Sequence, residues 1–268
     1  MPIGLSAFHT AFNLCNVILL IGFVPWLVKA AIWSVKSKGE EDEVTRLKFI
    51  TSGVRTPELA TVELQQETAH FGEVTSRMSE FVRTLINSTD SKERKSMYKK
   101  LKKYEDITDN METEITEYIT KLANEEITPK TSLRLRSILN ICNDLERIGD
   151  VYYQVSKTLE RKNENNIYFT PEQRENLNEL MNLIDNAFTE MNSNLSVKSY
   201  DSVTKDKADD LEKDINKFRN KLRKENVKKL GTSDYNVKSA MVYNNVFSSL
   251  EKVGDHIINV TEAIVGEV

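Results

Sequence analysis

The chain has 268 residues, of which 29% are charged and 39% hydrophobic, with a formal net charge of −4 and only 9 glycines and 5 prolines. This composition favours long amphipathic helices, because helix interiors exclude glycine and proline. The negative charge excludes a protein that attracts nucleic acid through a global basic field. Cys15 and Cys142 are too few for a disulfide framework and indicate a reducing compartment.

The first predicted element is an apolar helix within residues 1–36, with no charged residue from 5 to 28. A helix of about 20 apolar residues crosses the hydrocarbon core of a bilayer. Lysines follow the apolar run instead of preceding it, which argues against a signal peptide and places the rest of the chain in the cytoplasm. We therefore predict a transmembrane helix, with a buried helix of a soluble protein as the alternative.

Three polar residues, His9, Asn13 and Asn16, interrupt this apolar run. Their spacing places them on one helical face. Polar side chains inside a membrane normally face protein or a cavity, so an isolated span would leave them in contact with lipid. We therefore expect this helix to be the last span of a truncated transporter domain whose other spans are absent from this chain.

A charged linker at 37–56 leads into a predicted helical domain at 57–268. Threonine–proline pairs at 56–57, 128–129 and 170–171 suit helix starts, with threonine as the N-cap and proline in the first turn. Apolar residues recur at the three- and four-residue spacing of helix packing. Six helices are predicted, at about 57–86, 91–123, 131–162, 171–195, 202–230 and 233–265.

The six helices form two copies of a three-helix unit, at about 57–165 and 170–265. The run DLERIGD at 144–150 matches SLEKVGD at 249–255, at an offset of 105 residues. The run DNMETEI at 109–115 matches DDLEKDI at 209–215, at an offset of 100 residues. The unequal offsets predict a loop-length change of five residues between the second and third helices.

Each third helix carries two acids one turn apart, with a glycine between them: Glu146 and Asp150 in the first copy, Glu251 and Asp255 in the second. Like charges at this spacing repel by a few tenths of a kcal/mol, and an interior glycine costs about 1 kcal/mol relative to alanine. Two unfavourable choices repeated at the same place indicate a compensating role.

Each second helix adds two acids that share one face: Asp109, Glu112, Asp209 and Glu212. Facing the third helix, these carboxylates would complete an oxygen-ligand set for a hard or borderline cation. The alternative is a solvated acidic face, with the glycine allowing close helix packing, and the residues alone leave both interpretations open. No nucleophile with its base, phosphate loop or nucleotide fingerprint is found, so we do not expect an enzyme.

These acidic signatures resemble those of the PhoU family of bacterial phosphate-signalling regulators over residues 60–265. The resemblance implies an all-α fold of two tandem three-helix bundles. It also implies a multinuclear iron or other divalent metal cluster, held by the eight acids of the two copies.

The chain looks like the C-terminal part of a bacterial sodium–phosphate cotransporter family protein. The segments that carry this resemblance are the apolar helix with HTAFN at 9–13, the linker, and TPELA at 56–60. The upstream spans and the paired Gln-Ser-Ser motifs of that family are absent, so this chain should not transport on its own. The resemblance implies a cytoplasmic PhoU-like regulatory domain at the inner (plasma) membrane, involved in phosphate transport or phosphate homeostasis.

The expected partners are the membrane and the missing transporter spans, or another phosphate transporter or sensor, but not nucleic acid. Self-association into a homo-oligomer is left open. The alternative function is a soluble PhoU-type adaptor that acts on a histidine kinase or an ATP-driven phosphate importer.

Overall fold

The computed structural model describes residues 2–24, 26, 47–50, 56–230 and 236–266. These residues form seven α-helices and one short 3-10 helix, with no strand among them, which confirms the predicted all-α fold. The chain divides into two compact units, Met1–Thr45 and Arg46–Val268.

The first unit contains helix α1, Pro2–Ile21. His9 and Asn13 of the predicted polar face are exposed, and Asn16 is partly buried. Of the helices that the structure describes, none combines the length and the apolar character needed to cross a membrane. The predicted transmembrane helix is therefore not supported, and residues 27–36 of that prediction lie outside the described residues.

The second unit contains six long helices, two sets of three as predicted. Their bounds are α2 Pro57–Asn87, α3 Ser91–Leu122, α4 Pro129–Glu164, α5 Pro171–Leu195, α6 Asp206–Leu230 and α7 Val237–Val265. A short 3-10 helix, Tyr200–Ser202, lies between α5 and α6. The three predicted threonine–proline starts are present. Thr128 and Thr170 cap their helices with side-chain hydrogen bonds, whereas Thr56 makes no such bond.

The corresponding helices of the two sets pack against each other at the centre of the bundle. Helix α2 packs against α5, and α4 packs against α7, while α3 and α6 each flank their own set. The Ser137 hydroxyl donates a hydrogen bond to the carbonyl of Ala263, and Asp144 contacts His256. The contact later on α4 is made with the earlier residue of α7, so the two helices are antiparallel. All six helices contribute buried apolar side chains to the core.

The glycine of each acidic signature allows two helices to approach closely. A Cβ atom on Gly149 of α4 would lie 2.6 Å from Oγ1 of Thr108 on α3. A Cβ atom on Gly254 of α7 would lie 3.1 Å from Cδ1 of Ile215 on α6. Close packing is therefore one role of this repeated glycine.

These two contacts show that the copies differ in helix register. Thr108 and Ile215 face equivalent glycines and are 107 residues apart, whereas the matched acidic runs of the second helices are 100 apart. Relative to α7, the acidic run of α6 is therefore displaced by seven residues from the position that the α3 run has relative to α4. Seven residues are about two helical turns. Most of the second connection, residues 231–235, lies outside the described residues, so the predicted change in loop length stays a prediction.

One buried carboxylate anchors residues 47–50 to the bundle. Oε2 of Glu67 accepts hydrogen bonds from the backbone N–H groups of Lys48, Phe49 and Ile50, at 2.8, 2.6 and 3.3 Å. Glu67 is fully buried on α2. These three hydrogen bonds to one oxygen hold residues 47–50 against α2.

Replacing Gly149 with alanine should lower the free energy of unfolding by about 1–2 kcal/mol, because overpacking outweighs the helix-propensity gain of about 1 kcal/mol. Thr108 has little room to move, since it is fully buried and its hydroxyl donates to the Glu105 carbonyl at 2.8 Å. Chemical denaturation measures the change. Gly254→Ala is the matched control and should cost less, because its Cβ would lie 3.1 Å from the nearest atoms of Ile215 and not 2.6 Å as at Gly149. A larger loss for Gly254→Ala would contradict this interpretation.

Candidate metal centre

Three carboxylates from α3 and α4 converge in the first three-helix set. One oxygen from each of Asp109, Glu146 and Asp150 lies within 4.8 Å of the other two. Glu146 and Asp150 are one turn apart on α4, and α3 presents Asp109 to both. The close approach at Gly149, directly before Asp150, brings the two helices near enough for this contact. We call these three residues the carboxylate triad.

Mutual repulsion and partial burial disfavour three free negative charges in the triad. The pKa of Glu146 is raised to about 7, first by burial and then by the charges of Asp150 and Asp109. The pKa of Asp109 is also raised, by burial and then by Glu105 and Asp150. Because its pKa is about 7, Glu146 is partly protonated near neutral pH, and a divalent cation can replace that proton.

Glu112, the fourth predicted ligand of the first copy, borders the triad. Its charge contributes to the raised pKa of Glu146. Its Oε1 accepts a hydrogen bond from the Thr116 hydroxyl at 3.1 Å, and it is not one of the three residues whose oxygens converge.

The triad offers oxygen donors alone, which are the ligands of hard and borderline cations such as Mg²⁺, Mn²⁺ and Fe²⁺. Within the part of the chain that the structure describes, it is the one group of three metal-ligating side chains at this spacing. The donor set therefore fits one divalent cation.

The second copy arranges its acids differently. Arg219 of α6 forms an ion pair with Glu251 of α7. The guanidinium of Arg219 also donates to Oδ1 of Asn216 at 3.3 Å. Because of the two-turn displacement, Asn216 and Arg219 lie where α3 has Asp109 and Glu112. The cation beside this acidic signature is thus an arginine of the chain itself.

The four acids predicted as ligands in the second copy do not form a three-ligand group among the described residues. Glu212 accepts a hydrogen bond from Nδ2 of Asn216 at 3.3 Å, and Asp209 lies three residues earlier on α6. The pKa of Asp255 is raised by burial and by Glu251, and this rise is opposed by His256 and Arg219.

A polar cluster that sequence analysis missed connects the two third helices. Nδ1 of His256 lies 2.8 Å from Oδ1 of Asp144, and Nδ2 of Asn259 donates to the same oxygen at 3.1 Å. Asp144 opens the signature run of α4, and His256 follows that of α7. The two acidic signatures are therefore joined through the centre of the bundle.

A known protein family matches the part of the chain that contains the triad. Residues 70–159, which include the whole triad, match the PhoU domain family. The structure resembles the phosphate transport system regulatory protein PhoU from Streptococcus pneumoniae, with a TM-score of 0.64 and 20% identity over 78% of this chain and 95% of that chain. It also resembles PhoU from Pseudomonas aeruginosa, with a TM-score of 0.68 and 18% identity over 77% of this chain and 96% of that chain.

No curated protein matches the chain. The structural similarities confirm the predicted PhoU-like fold. They do not show membership of the sodium–phosphate cotransporter family.

Replacing Glu146 with glutamine should remove a pH dependence from the stability of the metal-free protein. The folded-state pKa of about 7 exceeds the unfolded value of 4.5, so the folded state binds more protons between these values. Its stability therefore falls as the pH rises through this window. Glutamine mimics the protonated acid and should raise the free energy of unfolding at pH ~8 by about 1 kcal/mol, a gain that solvent screening keeps small.

Denaturation in the presence of a chelator, at several pH values below and above the pKa of Glu146, measures this effect. Glu114→Gln is the matched control, because Glu114 is an exposed acid of α3 outside the triad. If the Glu146→Gln protein loses stability with rising pH as steeply as the wild type, the triad does not hold this proton.

Proposed function

We propose that this chain regulates phosphate transport as a PhoU-type regulator and does not catalyse a reaction. The observation that carries the proposal is the PhoU domain match at residues 70–159, which contains all three members of the carboxylate triad. The PhoU-like fold of the whole helical bundle supports it, since one of the similar structures is a phosphate transport system regulatory protein.

The metal ligands in this proposal are Asp109, Glu146 and Asp150. A bound divalent cation, with iron among the candidates, would neutralise the repulsion that raises the pKa of Glu146. The three residues would then hold α3 against α4 in one register, because ligands from both helices share the cation. Arg219 already neutralises Glu251 in the second copy, so we assign the cation to the first copy.

The transporter that we propose as the partner belongs to the sodium-dependent phosphate cotransporter family. The chain would act as its cytoplasmic regulatory domain, beside the transporter spans at the inner membrane. Support comes from the large apolar side chains that α1 leaves exposed, because such groups normally bury against a partner or a membrane. They include Phe8, Phe12, Leu14 and Val17. The alternative is an adaptor that acts on a histidine kinase or an ATP-driven phosphate importer.

Replacing Asp150 with alanine should reduce the bound divalent metal to background, because the triad loses one of its three ligands. Asp255→Ala is the matched control and should retain the metal, since the second signature faces Arg219. Elemental analysis after exhaustive dialysis measures both proteins, and circular dichroism checks their folding. Metal retained by Asp150→Ala would contradict the site, and equal loss from both variants would contradict its restriction to the first copy.

Deleting the gene in its own host should abolish the adjustment of phosphate uptake to external phosphate. The wild-type chain should restore that adjustment and Asp150→Ala should not, because regulation is proposed to need the triad. Radiolabelled phosphate uptake is the measurement. Expression in a host without phosphate uptake is the control and should produce none, since transport by this chain alone would refute a purely regulatory role.

Membrane fractionation separates the two candidate partners. A chain associated with transporter spans should remain with membranes after high-salt and carbonate washes and should co-purify with a sodium–phosphate cotransporter. Recovery in the soluble fraction, together with capture of a histidine kinase or an importer subunit, would favour the adaptor.

A further inference from the structure

A second site candidate lies at the junction of the two three-helix sets. The end of α2, the start of α3, the end of α4 and the start of α5 enclose a cavity of about 460 Å³. This volume falls within the roughly 300–1,000 Å³ of small-molecule sites. Three cationic side chains line it, Arg94, Lys162 and Arg174, and no carboxylate of the described residues does. We call this cavity the basic pocket.

The cations of the basic pocket are close enough to affect each other. The pKa of Lys162 is lowered to about 8, first by partial burial and then by the charges of Arg94 and Arg174. Nζ of Lys162 donates to Oδ1 of Asn163 at 3.2 Å and lies 4.5 Å from the ring centroid of Phe169. These contacts hold Lys162 in the pocket without neutralising it.

The helix dipole favours the position of only one of the three cations. Lys162 lies in the last turn of α4, where the helix dipole favours a cation. Arg94 and Arg174 each lie near the N-terminal end of a helix, four residues into α3 and α5, where the dipole disfavours a cation. Two arginines in unfavourable positions beside a desolvated lysine indicate that another interaction compensates them.

None of the acids near this region lines the pocket. The Glu93 carboxylate accepts a hydrogen bond from the Ser88 hydroxyl. Nη1 of Arg94 donates to the carbonyl of the same Ser88, at 3.1 Å. Glu164 is exposed at the end of α4, and neither acid lines the pocket.

We propose that the basic pocket binds a small anion that carries a phosphate or polyphosphate group. The paired N–H donors of an arginine guanidinium match the geometry of a phosphate group, and a lysine adds a compact third charge. The N-terminal ends of α3 and α5 add positive potential. Leu85, Ile86 and Phe169 form an apolar wall beside the cations, so inorganic phosphate and a phosphomonoester with an organic body share the required chemistry.

The basic pocket is separate from the carboxylate triad and is a function beyond the one proposed above. Lys162 follows Asp150 by 12 residues on α4, which corresponds to about 18 Å along the helix. An anion there would contact both three-helix sets, because Arg94 belongs to the first and Arg174 to the second.

Titration calorimetry and thermal unfolding of the full chain, at constant ionic strength, test the proposal. The probes are inorganic phosphate, pyrophosphate and adenosine monophosphate, with sulfate and citrate as competing anions. Arg174→Gln and Lys162→Gln should each weaken binding by about tenfold or more, because each removes a charged hydrogen bond. Lys95→Gln removes an exposed charge next to Arg94 and should bind as the wild type does.

Stability without the anion separates loss of binding from loss of folding. Arg174→Gln should melt at or above the wild-type temperature in the absence of phosphate, because it relieves repulsion at Lys162. Tightest binding of inorganic phosphate would identify the free ion as the ligand, and tighter binding of pyrophosphate or the nucleotide would identify a phosphorylated molecule. No binding of any probe, or unchanged binding in both pocket variants, would overturn the proposal.

Discussion

The packing of α3 against α4 at Gly149 determines which acidic side chains meet. The glycine has no Cβ, so Thr108 lies in the space where a side chain would be. That contact fixes the register of the two helices and places Asp109 beside Glu146 and Asp150. The equivalent contact at Gly254 is made with Ile215 and fixes a register two turns away. A nearly identical signature therefore meets different partners in the two copies.

The two registers place different charges beside the acidic signatures. In the second copy, Arg219 compensates Glu251 within the folded chain, so this contact needs no other cation. In the first copy, the pKa of Glu146 near 7 shows that the carboxylates meet without an equivalent cation. A proton on Glu146 or a bound divalent cation would offset this repulsion. The cluster of Asp144, His256 and Asn259 joins the two signature helices through side-chain hydrogen bonds.

Sequence patterns predicted the helices well, because helix starts and apolar spacing are local properties. The acids Glu146 and Asp150 were predictable for the same reason, since one turn of one helix places them together. The partners of the second signature were not predictable. A shift of seven residues is two helical turns and preserves the buried face of an amphipathic helix. The matched run that starts at Asp209 therefore looked aligned while its helix was displaced. The basic pocket was also hidden from sequence analysis, because its three cations come from different helices and share no motif.

Helices α3 and α4 contribute residues to both candidate sites, at different points along their length. Arg94 precedes Asp109 by 15 residues on α3, and Lys162 follows Asp150 by 12 residues on α4. The triad therefore lies between the middle sections of this antiparallel pair, and the basic pocket lies at one end of it. A cation shared by the triad and an anion held between Arg94 and Lys162 would both favour one register of the same two helices. Thermodynamic linkage then requires that each ligand strengthens the binding of the other by the same factor, provided that the register differs in their absence. An anion that also contacts Arg174 would extend this coupling to α5, the first helix of the second set.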